Sequence, residues 1–363
     1  MAKEKSTLRW QFEVKGSIEF YNVSEGLFYL ITTEYQDGDG RDSNHLYTLD
    51  AGTGEEKWKV ESLLVEDSSP FVSEGIVYLN TKDDDGKCYL YTLDAKTGEE
   101  KWKFEISVGG GFYSSPFVSE GMVYFGCYDG YFYALDAKTG EEKWKFKQES
   151  RFELIRSPIV SESMVYFGSD ADHLYALDAK TGEEKWKFET SLDRDYDDDS
   201  SPSSPIVSEG MVYFGSDDYH LYALDAKTGE EKWKFETLMG IYSSPFVSGG
   251  MVYFGSHDFH IYALDMKTGK EEWQFETGDM VRTSPIVYKG TVYFEGYSPE
   301  NLEDNEMGSN DKCLLYALDA KTGEEKWAYK TGTSGFSRNK STIASEGIAY
   351  VYHEMGILAI DIE

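Results

Sequence analysis

The chain has 363 residues, 40% hydrophobic and 28% charged, so it is long enough to bury a core and unlike a disordered tail. Its net charge of −32 repels phosphate backbones, which excludes nucleic acid as an expected partner and favours cationic partners or metal ions. The aromatic share of 16% against only 8 prolines points to strands joined by tight turns, and no apolar run reaches the length of a membrane-spanning helix.

The predicted elements repeat along the chain. Residues 8–13, Leu8-Arg9-Trp10-Gln11-Phe12-Glu13, form a strand of the K-W-K-F-E kind that recurs downstream. The next copies read Y-T-L-D-A-G-T-G-E-E-K-W at 47–58 and Y-T-L-D-A-K-T-G-E-E-K-W at 91–102. Y-A-L-D-A-K-T-G-E-E-K-W then stands at 133–144, 175–186, 222–233 and 316–327, with the variant Y-A-L-D-M-K-T-G-K-E-E-W at 262–273. An eighth copy begins as L-A-I-D at 358–361. All 8 tryptophans hold one repeat position, with spacings of 40 to 54 residues, one propeller blade each.

Residues 243–277 form a typical unit, with four predicted strands. Strand A is S-P-F-V-S, strand B M-V-Y-F-G, strand C H-I-Y-A-L-D and strand D E-E-W-Q-F-E. In strand D the Trp and Phe alternate with charged residues, so one face packs and the other is wet. Its charges suit an outermost edge. Such small sheets must stack to bury both faces. The expectation is a single all-β domain over 1–363: an eight-bladed β-propeller of four-stranded antiparallel blades. Residues 8–13 supply the outer strand of the blade formed by about 336–363.

These repeats resemble the pyrroloquinoline-quinone-type (PQQ-like) propellers, whose signature A-x-D-x-x-T-G-x-x-x-W reads Ala134-Leu135-Asp136-Ala137-Lys138-Thr139-Gly140-Glu141-Glu142-Lys143-Trp144 here. It recurs at 176–186, 223–233, 263–273 and 317–327, and the first two copies put Thr48 and Thr92 in place of the Ala. The resemblance covers nearly the whole chain and implies that Trp10, Trp58, Trp102, Trp144, Trp186, Trp233, Trp273 and Trp327 dock between blades. The family includes quinoprotein dehydrogenases, outer-membrane assembly lipoproteins and sensor or cell-surface propellers, so the fold does not name the function. The dehydrogenases imply a quinone held between a Trp and a disulfide of adjacent cysteines, with calcium and an Asp base. Cys88, Cys127 and Cys313 are not adjacent, and every Trp belongs to the repeat.

The A–B and C–D turns barely change between copies, whereas the B–C and D–A connections vary. The large insertions, 34–44, 82–87, 191–201 and 297–312, all fall on the variable rim. Loops on a rigid scaffold carry function, so a partner is expected there. Asp37, Asp39 and Asp42, and Asp197, Asp198 and Asp199, are weak calcium candidates, since no full calcium-loop motif surrounds them. At the entry to strand A the copies place Glu19, Ser68, Ser114, Arg156, Ser203, Ser243, Thr283 and Lys340 at one level. Tyr113, Tyr242, Arg282 and Arg338 come just before, so Tyr113, Arg156, Tyr242, Arg282, Arg338 and Lys340 form a candidate ligand funnel. His45, His173, His220 and His260 share one position at the start of strand C, but that strand lies too far from the axis for one metal to bridge them.

These readings give a non-catalytic binding or scaffold propeller for a protein, glycan or small ligand, acting as a monomer without a cofactor. The alternative is a PQQ-dependent quinoprotein dehydrogenase with calcium. The first residues lack a signal-peptide apolar core, which fits the cytoplasm for the sequence as it stands, or the cell exterior if a signal peptide has been removed.

Overall fold

A computed structural model describes residues 7–14, 16–34, 43–61, 64–65, 69–83, 85, 87–106, 114–127, 129–148, 156–169, 173–190, 203–297, 313–331, 343–353 and 356–362. These residues form eight antiparallel sheets, the blades of an eight-bladed β-propeller, and no helix. The chain divides into two compact units. Lys15–Pro205 holds blades 17–60, 64–106, 117–147 and 159–189. Met1–Val14 with Ile206–Glu363 holds blades 206–236, 246–276 and 286–330, and the blade that 343–361 forms with the strand Thr7–Glu13. That strand pairs Trp10 with Ala359 and Phe12 with Ile357, and Arg9 meets Asp361 at 2.6 Å.

Blade 246–276 shows how each sheet arises. Strand A is Phe246–Ser248, B is Met251–Gly255, C is His260–Asp265 and D is Glu271–Glu276. The predicted strand A is longer by its first two residues, Ser244 and Pro245. Their backbone leaves the ladder, and Ser244 N instead meets Ser284 Oγ of the next blade at 2.9 Å. The same bond joins Ser69 N to Ser115 Oγ and Ser115 N to Ser157 Oγ in the other unit. Blade 64–106 departs from the common plan: Leu64–Val65 and Phe71–Ser73 both pair with Ile76–Lys82.

Each C–D turn is built by one aspartate. Asp136 Oδ1 accepts from the amides of Lys138 and Thr139 and from the Thr139 hydroxyl, all near 3 Å. The Thr139 bond, first, and the backbone amides hold this carboxyl below its usual range. Beyond the turn, strand D bulges: Trp144 pairs with Ala134 but Glu142 with Leu135, which skips Lys143. The skipped Lys143 reaches back to Asp136 at 3.9 Å, and Lys57, Lys101, Lys185, Lys232 and Lys326 do the same to their own turn aspartates. The bulge sets the indole against the next blade.

The core therefore lies between blades. Tyr124, Phe132, Ala134 and Trp144 pack on Val165, Phe167, Tyr175 and Leu177 of the following blade. Trp144 Nε1 and the Tyr124 hydroxyl both donate to the Ala179 carbonyl, at 3.1 and 3.0 Å. The same pair of donors serves Met266 O (Trp233, Tyr213) and Ala320 O (Trp273, Tyr253). Gly182 lies flat on the Trp144 ring: a Cβ there would sit 2.6 Å from the indole, and its φ is +70°. Gly121 also has positive φ (+75°), but a Cβ there meets nothing.

That contrast gives a test. Gly121→Ala should cost about 1–2 kcal/mol, the cost of a left-handed backbone alone. Gly182→Ala should cost clearly more, because the ring must also move, and Trp144→Ala should cost roughly 3–5 kcal/mol. In a double-mutant cycle the Gly182→Ala penalty should fall toward that of Gly121→Ala once Trp144 is Ala. Strict additivity in denaturant melts would refute the stacking account.

Candidate functional site

The calcium candidates Asp37, Asp39, Asp42, Asp197, Asp198 and Asp199, and the funnel candidates Tyr113, Arg338 and Lys340, lie outside the described residues. Arg156 is half-buried and its backbone amide donates to Gly168 O at 2.9 Å. Not all of the level at the entry to strand A is turned to solvent. Ser114, Ser203 and Ser243 are buried, and in Ser114 and Ser243 the hydroxyl serves its own blade: Ser243 Oγ donates to Gly255 O at 2.8 Å and accepts from Gly255 N at 2.7 Å. Ser114 makes the same pair with Gly126.

Tyr242 and Arg282 fall in one cluster on the variable rim of the unit that contains residues 206–363. Three connections build it: the B–C turns around 217 and 257, and the D–A segments before strands Phe246–Ser248 and Ile286–Tyr288. The Tyr242 hydroxyl donates to the Asp217 carboxylate. The Tyr242 ring lies on the His257 imidazole, centroids 4.3 Å apart and planes at 32°. The His257 amide donates to Gly240 O at 3.1 Å, which fixes the ring against the D–A segment. Burial and then the Arg282 charge push His257 down to about 4, against the opposing pull of Asp279 and Asp258. Arg282 itself packs its guanidinium 3.3 Å from Met280 Sδ.

At neutral pH the imidazole is uncharged and stacked, and the Tyr242 hydroxyl donates to a carboxylate. Asp217, His257, Asp279 and Met280 were not among the sequence candidates. Asp217 and His257 share one position of the repeated B–C turn, and the change of side chain between copies there is the signal that could have flagged them.

The strand-C histidines serve their own turns. His220 Nδ1 lies 2.8 Å from Asp218 O, His260 Nδ1 lies 2.8 Å from Asp258 O, and each ring rests on a tyrosine two residues on. Among the described residues no group of three or more His, Cys, Asp or Glu side chains could hold a metal ion. The eight motif tryptophans each pack on a tyrosine of their own blade, with ring centroids 5.8 to 6.3 Å apart. Trp58, Trp102, Trp144, Trp233 and Trp273 each lie under the motif glycine of the next blade. Trp10, Trp186 and Trp327 rest on Tyr350, Tyr166 and Tyr293 of their own blades at 5.8 to 5.9 Å. Cys88, Cys127 and Cys313 are buried thiols on different blades. These residues do not fit a quinone held between a free indole face and a disulfide of adjacent cysteines.

The His257 stack has a pH signature. Its folded value lies below the ordinary histidine value of about 6.5, so neutral imidazole is the folded form. Its stabilising contribution is complete above about pH 6.5 and is lost as pH falls toward about 4. His257→Phe keeps the stack and cannot protonate, so it should flatten that part of the stability–pH curve. An imidazole that titrates near 6.5 by NMR would contradict the burial.

The comparisons agree on the architecture. The family described as outer membrane protein assembly factor BamB matches residues 3–107, 85–194, 151–240, 193–300 and 238–363. Comparison with curated proteins finds no match. BamB from Moraxella catarrhalis is similar at a TM-score of 0.69 and 17% identity, over 98% of this chain and 97% of that one. The computationally designed Ika8 protein is similar at 0.71 and 15%, over 97% and 98%. A quinohemoprotein alcohol dehydrogenase from Pseudomonas putida HK5 reaches 0.71 and 14%, over 98% of this chain and 76% of that enzyme. At these identities the structures speak for the fold, while the family matches run from end to end: the chain belongs to the PQQ-like repeat propellers described by the outer membrane protein assembly factor BamB.

Proposed function

We propose that this chain is a non-catalytic binding scaffold that holds a protein partner on its variable rim. One observation carries the reading: the groups a quinoprotein would use are spent on packing. Five indole faces lie under glycines of neighbouring blades, and the three cysteines are buried thiols, none next to another in sequence. Among the described residues the irregular part of the rim carries the half-buried Asp217–Tyr242–His257–Arg282 cluster. BamB, by its name an assembly factor, is similar over nearly its whole length, which favours the same kind of role. On this reading the protein needs neither pyrroloquinoline quinone nor calcium. A glycan or small ligand is the alternative occupant of the same rim.

The competing reading, a PQQ-dependent dehydrogenase, has the similarity to the Pseudomonas putida enzyme behind it. Calorimetric titration of the protein with pyrroloquinoline quinone in calcium-containing buffer separates the two. The scaffold reading expects no saturable heat. Saturable one-to-one binding would overturn it and turn attention to Arg156, Arg282 and Lys340 as partners for the quinone carboxylates.

A further inference from the structure

Among the described residues five large hydrophobic side chains are exposed, and four of them lie together on the variable rim: Tyr219 (49% exposed), Leu238 (82%), Met239 (39%) and Phe259 (38%). Hydrogen bonds hold them as one surface. Thr237 N donates to Tyr219 O at 2.8 Å, and the Thr237 hydroxyl donates to Met239 O at 2.7 Å. Leu238 N donates to Asp258 Oδ2 at 3.1 Å, and Ser256 Oγ to Met239 O at 3.3 Å. The Leu238–Met239 pair is thus pinned between the turn that carries Tyr219 and the turn that carries Phe259.

The two aromatics stand where the fold does not want them. Each has φ +73°, in the left-handed region that a bulky side chain avoids. The equivalent position of blade 117–147 is Gly130, at φ +74°. The equivalence is structural: Gly130 O, Tyr219 O and Phe259 O each accept the amide at the end of strand D, from Gln148, Thr237 and Thr277. Glycine meets the need in one blade, yet two blades in succession place a strained, exposed aromatic there. Strain retained at an exposed position points to function rather than to folding.

Charge selects the occupant. Exposed Glu236 and Glu276 end the two adjoining D strands, and Asp217 and Asp279 lie on the same rim. Arg282 is the cation beside them, half-buried against Met280. A second copy would bring another net −32 against this one. We propose, building on the scaffold reading, that Tyr219, Leu238, Met239 and Phe259 dock a polypeptide segment whose apolar side chains alternate with Lys or Arg, the apolar groups on the patch and the cations on the flanking carboxylates.

The test pans a phage-displayed random peptide library on the immobilised protein and on a Tyr219→Gly/Phe259→Gly variant. The proposal expects enriched peptides that mix apolar and basic residues and weaken with added salt. They should bind the variant about tenfold or more weakly, as expected for loss of aromatic anchors. The variant should melt at the same temperature or higher, because glycine relieves the strain. Leu238→Ser, which leaves Tyr219 and Phe259 and the backbone bond to Asp258 in place, should show the same loss of binding. Peptides that bind wild type and both variants equally would overturn the patch and leave the scaffold reading standing with its site elsewhere. Enriched peptides without basic residues, or a lower melting temperature for the glycine variant, would also overturn the proposal. So would self-association of the wild type by sedimentation that the variant abolishes. No enrichment on either protein would overturn the patch and the partner-binding reading together.

Discussion

The structure depends on an indole lying on the backbone of the next blade. A four-stranded sheet of this length has two faces and cannot bury either alone, so every blade leans on a neighbour. The contact combines burial of a large ring with two donors on one carbonyl, as at Ala179, where Trp144 and Tyr124 converge. A net hydrogen bond contributes about 1 kcal/mol and burial of an aromatic side chain about 1.5–3 kcal/mol. The repetition of this contact around successive blades, rather than its strength at any one, makes the stack cooperative. The motif follows from the geometry. The aspartate closes the turn, the threonine completes it, the glycine lets the ring approach, and the bulge in strand D aims the ring.

The same contact explains why one rim hardly changes between copies. The residue after each turn aspartate donates its amide to the A–B turn of its own blade: Ala137 N to Gly121 O, Ala226 N to Gly210 O and Ala320 N to Gly290 O, at 2.9 to 3.0 Å. The A–B turn bends through two residues of positive φ, such as Glu120 and Gly121, which suits a tight hairpin. The A–B turn, the C–D turn and the neighbour's tryptophan therefore form one hydrogen-bonded unit, and a change in any of them is felt by two blades. The B–C and D–A connections take no part in that tryptophan-centred unit. They end on the opposite side of each sheet, away from the tryptophan contact, although Ile241 and Val281 of two D–A segments still enter the core.

This division also sets what could be read from the sequence. The strand pattern, the shared tryptophan position and the pairing of residues 8–13 with the last blade were legible, because each rests on local alternation or on a repeat that recurs within the chain. The inward turn of Ser114 and Ser243 was not. Alignment of copies gives the level of a residue but not the direction of its hydroxyl, which is decided by the strand B backbone twelve residues on. The serine bonds between strands A, such as Ser115 N to Ser157 Oγ, were hidden for a similar reason: they link residues a whole blade apart. Tyr242, Asp217 and His257 stand at repeat positions whose side chain changes from copy to copy, so the repeat gives their level but not that they touch.

Departures from the repeat then carry different meanings on the two rims. Met266 replaces the alanine after the turn aspartate in blade 246–276, yet its carbonyl still accepts Trp233 and Tyr213 at 3.2 and 2.9 Å. Ser163 replaces the A–B glycine at φ +65°, and its carbonyl still accepts Ala179 N at 2.9 Å. The interlock is carried by backbone groups, so it tolerates a changed side chain provided the backbone path survives. On the opposite rim the backbone path also survives: Gly130, Tyr219 and Phe259 share one turn with closely similar φ. There the side chain is what changes, from none to a large exposed aromatic, against the local conformational preference. A substitution that the fold merely tolerates is expected to be neutral in strain. One that costs strain and leaves 38 to 49% of a large aromatic exposed is what the proposed docking surface would account for.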